Sequence, residues 1–579
     1  MITLNNINLS SIDLSGIDLR GIKLGLGGRG GGSGDGFPQL PGDVTRWHFG
    51  GLTNEMMAAM DDPRIEDADH KGRFLSFKNF AWSGMSGVGG YVQNFNDFRN
   101  NATVDKVRID EQNSNSIKVT ILTTGINNAI YIPKNIYQFN KSYFIKISSE
   151  GYNEGDLSLS FYAPSTSTAT TVKVPLNPNG ITEIPAIKED DFLAVYLDVG
   201  GKVGSITIEQ LPLYPGFILG DGVDDFAVTE KELNFEDTYT VYTAFIPFQN
   251  NPKRNMILCG ADSKKTFSMQ YSSLVYVSFI AGNNYYINAD FVNGLNLFAC
   301  KRNGNNICIK NLLTNKVVTG TCGDWVENAG LYYLWKNATY ASFARAAIAG
   351  QTICNGYFST DEDDEKVLDW YKKQYPWLFP DQAWTVVGKT NEDEDRATIA
   401  NITGNGNNLV LSNFGFAEGS GYNDKGEYAG YLVTDGVDDK IVSSSFGMGK
   451  DFTVVGEWTL LQNINVSSLR KQSSFIIRNN DLGLSLFINR ISHAILVHTK
   501  SLRAFCSNGV LYKSDWTEQI DTTPQDITSS NSELLIASHF DNKLEYDKIA
   551  FKNLAIYSEV LSKDDCIKAY NYLQTLKAK

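Results

Sequence analysis

A chain of 579 residues is long enough for about three to four domains of ordinary size. Its formal net charge of −14 speaks against nucleic acid or an anionic membrane as the main partner, because either would demand a basic face. With 12% aromatic residues beside abundant Gly, Asn, Ser and Thr, the composition favours short strands and turns over helices.

The opening residues, MITLNNINLSSIDLSG, carry no basic n-region and no continuous apolar core, so no signal peptide is expected, and no stretch reads as a transmembrane helix. Residues 7–25 repeat with period five: Ile7, Ile12, Ile17 and Ile22 take one phase, and Leu9, Leu14, Leu19 and Leu24 another. This pattern resembles the pentapeptide repeat, whose central Leu and the residue two before it point into a square right-handed β-helix. Four copies make about one coil, too little to bury an apolar face alone. The arm 1–25 is therefore expected to anchor or assemble the chain by folding against other copies or a docking partner, the alternative being a free amphipathic tail.

A Gly-rich linker is expected over 26–42. The formal GxGxxG at Gly25, Gly27 and Gly30 has no strand before it and no helix after it, so it fails as a dinucleotide fingerprint. Two similar segments follow at a distance. Trp47 with Gly51 to Glu55 is echoed by Trp384 with Gly388 to Glu392, and Asn79-Phe80 by Asn413-Phe414. They are expected to be two copies of a connector, 43–104 and 381–424. Between them, 105–215 carries seven or eight short strand-like runs, from VDKVRIDE to SITIEQL, spaced as in a jelly-roll-like β-sandwich. The prolines of Leu211 to Gly216 mark its end.

Two modules, 216–380 and 425–579, each begin with Asp-Gly-Val-Asp-Asp, Asp221 to Asp225 and Asp435 to Asp439. Each continues into a Thr-Val strand and closes with one amphipathic helix, Asp363 to Gln374 and Lys563 to Leu576, in which Val367 is set against Ile567 and Trp370 against Tyr570. A duplicated module is the firmest statement the sequence makes. Asp221, Asp224, Asp225, Asp435, Asp438 and Asp439 offer hard oxygen ligands suited to Ca²⁺. The preferred reading is a tight turn in which Gly222 or Gly436 takes positive φ and the carboxylates accept backbone amides.

Trp325, Tyr332, Tyr333, Trp335, Trp458 and Trp516 are candidates to stack on sugar rings, with core packing as the competing role. The acids Asp361 to Glu365 and Glu392 to Asp395 flank a helix and a turn and do not alternate on a strand, so capping or solvated charge is preferred to a glycosidase pair. No nucleophile elbow or Cys/His pair is present. The seven cysteines lack zinc spacing and are expected to be mostly buried thiols of a protein made in a reducing cytosol; only Cys300 and Cys308 are near enough to bridge.

The DGVDD turns, the following YTV and FTV strands and the Tyr557 to Asp565 turn into the last helix resemble laminin-G-like, concanavalin A-like jelly-roll domains; the first copy departs from the closing pattern with GYFSTDEDDE. The wider arrangement resembles virion appendage proteins of phages that infect Bacteroidetes, the crAss-like group included. The expected fold is mostly β: a pentapeptide-like arm, a jelly-roll-like sandwich and two concanavalin A-like domains. The resemblance implies a non-enzymatic head or tail fibre of a virion, made in the host cytoplasm. It would be homotrimeric, docked through its N-terminus on capsid, portal or tail proteins, and would adhere to host surface polysaccharide without cofactor. The alternatives are a capsule depolymerase of the glycoside hydrolase type and a bacterial surface adhesin.

Overall fold

The computed structural model describes residues 36–578 apart from 164–170, 190–191, 249–254, 260–266, 272–274, 282, 291, 293, 325–327, 337–342, 405, 426–427, 448–450, 462–466, 472–474, 481–482, 489–490, 498–501, 514, 521–533 and 537–547. The arm residues Ile7, Leu9, Ile12, Leu14, Ile17, Leu19, Ile22 and Leu24 lie outside the described residues, as does Trp325. The described chain is mostly β, and its sheets are antiparallel. Among the described residues no helix is long and apolar enough to cross a membrane.

In the first module the long strand Thr238–Pro247 lies between Asn296–Asn303 and Arg345–Asn355. The sheet built on it faces a second sheet containing Phe74–Lys78 and Phe226–Thr229. Val241, Phe245 and Ile348 from the first sheet pack with Leu75, Phe77 and Leu334 from the second to form the core between them. The second module repeats this plan, with Thr453–Leu460 beside Ile549–Tyr557.

The segments expected as connectors are the opening strands of these sandwiches. Asp43–His48 pairs along Arg345–Asn355, with Trp47 opposite Gln351, and Phe77 pairs opposite Ala227. Likewise Gln382–Thr385 pairs with Ile549–Tyr557, and Leu409–Ser412 with Lys440–Ser443. The physical reason is that Leu75, Phe77, Leu409 and Leu411 are buried, and a buried strand must pair its backbone amides and carbonyls. The duplicated unit thus includes each opening segment together with its DGVDD module.

Every strand-like run of the insert forms a strand, and two short strands that the pattern did not reveal, Arg99–Asn100 and Ile181–Ile184, complete two five-stranded sheets around their own core. The insert leaves and rejoins the first module at neighbouring strands, since Val88 pairs with Ile218.

Two helices close the modules: α2, Asp361–Gln374, and α3, Lys563–Thr575, numbered after the short α1, Asn54–Ala58. Thr360 caps α2 and Ser562 caps α3, each accepting the backbone amide three residues on, from Asp363 and Asp565. Aligned on these caps, Trp370 corresponds to Tyr572 and Val367 to Ala569, two residues away from the match expected from sequence. Both helices pack on the outer faces of the modules and share one core. Tyr242, Ala299 and Ala349 of the first module, Val455, Ala504 and Ala555 of the second, and Phe144 and Tyr214 of the insert join Trp370, Trp377 and Tyr570 there. The Tyr572 hydroxyl of α3 accepts the Leu295 amide of the first module at 2.8 Å. The three sandwiches are therefore fused through buried apolar surface.

Candidate functional site

The two DGVDD turns have the same geometry. Gly222 and Gly436 have φ of +80° and +76°, the left-handed region that glycine enters without a Cβ clash. Asp225 Oδ2 accepts the Asp221 amide at 2.9 Å, and Asp439 Oδ2 accepts the Asp435 amide at 2.7 Å. Asp221 Oδ1 and Asp435 Oδ1 each accept the amide of the following Val, Val223 or Val437, at 2.7 Å.

The opening segments lock both turns. Asn79 and Asn413, themselves at φ 67° and 66°, donate their side-chain amides to the carbonyls of Asp224 and Asp438. Ser86 Oγ accepts the Ala81 amide and Ser420 Oγ the Gly415 amide. Ser420 also donates to Asp439 Oδ1 at 3.0 Å, and Ser86 lies beside Asp225. Asn54 and Asn391 grip the backbone of Val88 and Tyr422 through both side-chain atoms.

In each turn the three carboxylates approach within 4.8 Å of one another. Burial pushes the Asp225 carboxyl up to about 7 and Asp439 up to about 6, against the backbone and serine hydrogen bonds that favour the ionised form. These six acids are the residues that could hold a hard cation. The carboxylates of Asp221, Asp225, Asp435 and Asp439 already accept backbone amides in the turns, so these four serve the fold whether or not an ion is held.

The aromatic candidates mostly belong to the interior. Trp335, Trp458 and Trp516 are 0%, 3% and 2% exposed, so none offers a ring face to a sugar. Trp335 donates Nε1–H to the Ala346 carbonyl and packs on Phe49 and Phe80, and Gly220 is required because a Cβ there would meet its ring at 2.5 Å. Trp516 packs on Tyr512 and Tyr570. Tyr332 is buried and its hydroxyl meets Gln351 at 2.6 Å. Tyr333 alone of the described candidates is half-buried, beside Phe226 with Lys336 over both rings. Sequence alternation does not reveal which aromatic faces a sheet's partner, and here the stacked second sheet or a helix covers them.

The acid clusters are occupied too. Asp363 completes the capping box of α2 and Asp364 pairs with Lys301 and Lys310, while Asp393 accepts the Thr390 amide and Asp395 meets Lys389 at 2.6 Å. Cys300, Cys308, Cys322, Cys354, Cys506 and Cys566 are free thiols. Cys300 stands opposite Ile309, and Cys308 opposite Lys301, so this register sends the two sulfurs to opposite faces of the sheet and they do not bridge.

The sequence did not show three clefts that lie where the units meet. One, of about 230 Å³, lies between the modules beside Leu295, Leu378 and Tyr572. A second, of about 540 Å³, separates the insert from α3 and is lined by lysines and acids in equal number: Lys146, Lys563 and Lys568 against Glu209, Asp515 and Asp564. The third, of about 590 Å³, opens where the insert and both modules converge.

The fold and these features define a mostly β protein of fused sandwiches. Neither a protein-family profile nor a curated protein sequence matches the chain. Among solved structures, the binding domain of botulinum neurotoxin DC in complex with SialylT is similar over 57% of this chain and 82% of that one, at 9% identity and a TM-score of 0.26. The binding domain of Paraclostridial Mosquitocidal Protein 1 is similar over 59% and 91%, at 9% identity and a TM-score of 0.27. Domain 4 of the GH43 arabinanase AbnA from Geobacillus stearothermophilus, solved with arabinotriose, is similar over 27% and 80%, at 14% identity and a TM-score of 0.19. At these scores none of them identifies a site or partner of this chain.

Proposed function

We propose that this chain is a non-catalytic adhesion component of a bacteriophage particle, a projecting head or tail fibre. In this reading, residues 1–25 dock on other virion proteins and bring together three copies, and the fused sandwiches meet host surface polysaccharide. The observation that carries it is the duplicated sandwich, joined through one shared apolar core behind a Gly-rich stretch and a repetitive arm. Weak sites repeated within a chain and across a trimer gain avidity without new contacts.

Two measurements test the reading. Full-length protein incubated with host capsular polysaccharide is expected to be retained on it and to leave its chain length unchanged; shortened chains would instead assign a depolymerase, and absence of retention would remove the adhesion role. Mass in solution with and without residues 1–36 is expected to fall from trimer to monomer, and an unchanged mass would exclude the arm from trimerisation.

A further inference from the structure

We infer that the third cleft, at the convergence of the insert and both modules, is a binding site for a carboxylated sugar segment. The inference rests on the adhesion reading and names the class of glycan. Four cationic residues line the cleft: Lys141 from the insert, Arg345 from the first module, and Lys552 and Lys577 from the second. No Asp or Glu is among its described lining residues, although the whole chain carries a net charge of −14 and the neighbouring cleft balances its lysines with acids. Lys141, Arg345 and Lys577 are exposed, while Lys552 is half-buried and already meets Glu457 at 3.2 Å.

The walls add a second feature. The half-buried Phe248 and Leu213 stand along one side, backed by the buried Ile246 and by the buried Tyr214, whose ring meets that of Phe248 at 5.1 Å. An aromatic and aliphatic wall suits the C–H face of a pyranose ring. The lysine ammonium groups of the lining suit its carboxylate. A volume of about 590 Å³ lies within the range of about 300–1,000 Å³ usual for small-ligand sites. A cleft that concentrates one sign of charge between low-dielectric walls also raises the local concentration of anions. A simple inorganic anion would use the cations and ignore the wall; a neutral sugar would use the wall and ignore the cations. An acidic sugar uses both.

The test is calorimetric titration of the full chain with a galacturonic acid tetramer and with the neutral galactose tetramer of the same linkage. Wild-type protein is expected to bind the acidic tetramer in preference, with affinity falling as salt rises. Lys141→Glu with Lys577→Glu, both at exposed positions, is expected to weaken acidic binding by about tenfold or more and to leave thermal unfolding unchanged. Should that pair perturb folding, Lys141→Gln alone is expected to give a smaller loss in the same direction. Equal binding of the two tetramers, no binding of the acidic one, or insensitivity to these substitutions would overturn the inference. Retention on whole host polysaccharide is measured in parallel. If it persists while the acidic tetramer fails, only this site is wrong; if it is absent, the adhesion reading falls as well.

Discussion

Lys301 Nζ lies 2.7 Å from Asp364 Oδ2, joining the sheet of the first module to α2 in surroundings where the two side chains are 4% and 1% exposed. The second module builds the same junction without charge. Thr240 and Thr453 hold equivalent carbonyls, of Tyr357 and Glu559, and their partners across the sheet are Lys301 and Cys506. Asp364 is the fourth residue of α2, and Cys566 is the fourth of α3. A buried ion pair in one copy is thus replaced by two buried thiols, Cys506 and Cys566, in the other, with Cys506 Sγ donating to the Leu561 carbonyl. Removing one member of a buried pair strands the other charge, so Asp364→Asn is expected to cost about 3–5 kcal/mol. Adding Lys301→Met should recover most of that loss, since Lys310 keeps Asp361 at 2.6 Å. Cys566→Ala is expected to cost only about 1 kcal/mol. Chemical denaturation of the four proteins checks the contrast; equal losses at Asp364 and Cys566 would mean that the charge has no special role.

The insert and the second module are tied by a cation held between two acids. Arg503 Nη2 meets Glu183 Oε2 at 2.9 Å and its Nη1 lies 3.8 Å from Glu457 Oε2, which also accepts from Tyr570 at 2.6 Å. Burial raises Glu183 despite Arg503; at Glu457 burial is outweighed by Lys552 and Arg503, with the Tyr431 and Tyr570 hydroxyls, and its carboxyl is held low. Arg503→Met leaves two acids facing each other and is expected to cost about 3–5 kcal/mol. The insert should then become more sensitive to limited proteolysis at neutral pH and recover at pH 4, where Glu183 is protonated. Protection that does not depend on pH would separate this network from the docking of the insert.

Much of this was legible in the sequence because it is local or repeated. The DGVDD turns, the Asn79 and Asn413 positions and the caps of α2 and α3 each depend on a few neighbouring residues, and their duplication made them visible. The role of the opening segments was not legible, because Trp47 finds Gln351 about 300 residues later and no local pattern specifies such a pairing. Nor was the burial of Trp335, Trp458 and Trp516, since a strand aromatic can face either side until the layers stack. The basic cleft brings together Lys141, Arg345 and Lys577, each unremarkable in its own stretch.

Gly222 and Gly436 offer a test of equivalence between the copies. A Cβ at Gly222 would meet Arg345 Cβ at 2.9 Å, and at Gly436 it would meet Lys548 Cβ at 3.1 Å, in addition to the left-handed backbone. Ala at either position is expected to cost about 1–2 kcal/mol from the backbone alone, and somewhat more at Gly222, where the approach is closer. Thermal unfolding of the two single variants measures this. A neutral Gly222→Ala would show that the turn relaxes out of the positive-φ conformation.

The same turns set a pH dependence. Asp225 and Asp439 have native values near 7 and 6, above their usual value of 3.8, so the native state keeps protons that the unfolded chain has released. Their contribution is fully present below about pH 4 and is lost as pH rises toward 7. Asn at both positions carries no charge to desolvate and can still accept the amides of Asp221 and Asp435. The difference in Tm between Asp225→Asn/Asp439→Asn and wild type should therefore grow in favour of the variant from pH 4 to 7 and level off above. A constant difference across that range would refute the raised values. Calcium extends the experiment, because a cation held by Asp221, Asp224 and Asp225 keeps their carboxylates ionised and removes the penalty. A calcium-dependent rise in Tm at pH 7, present in wild type and absent from the double variant, would assign the turns as metal sites; its absence would leave them as fold-forming corners within both modules.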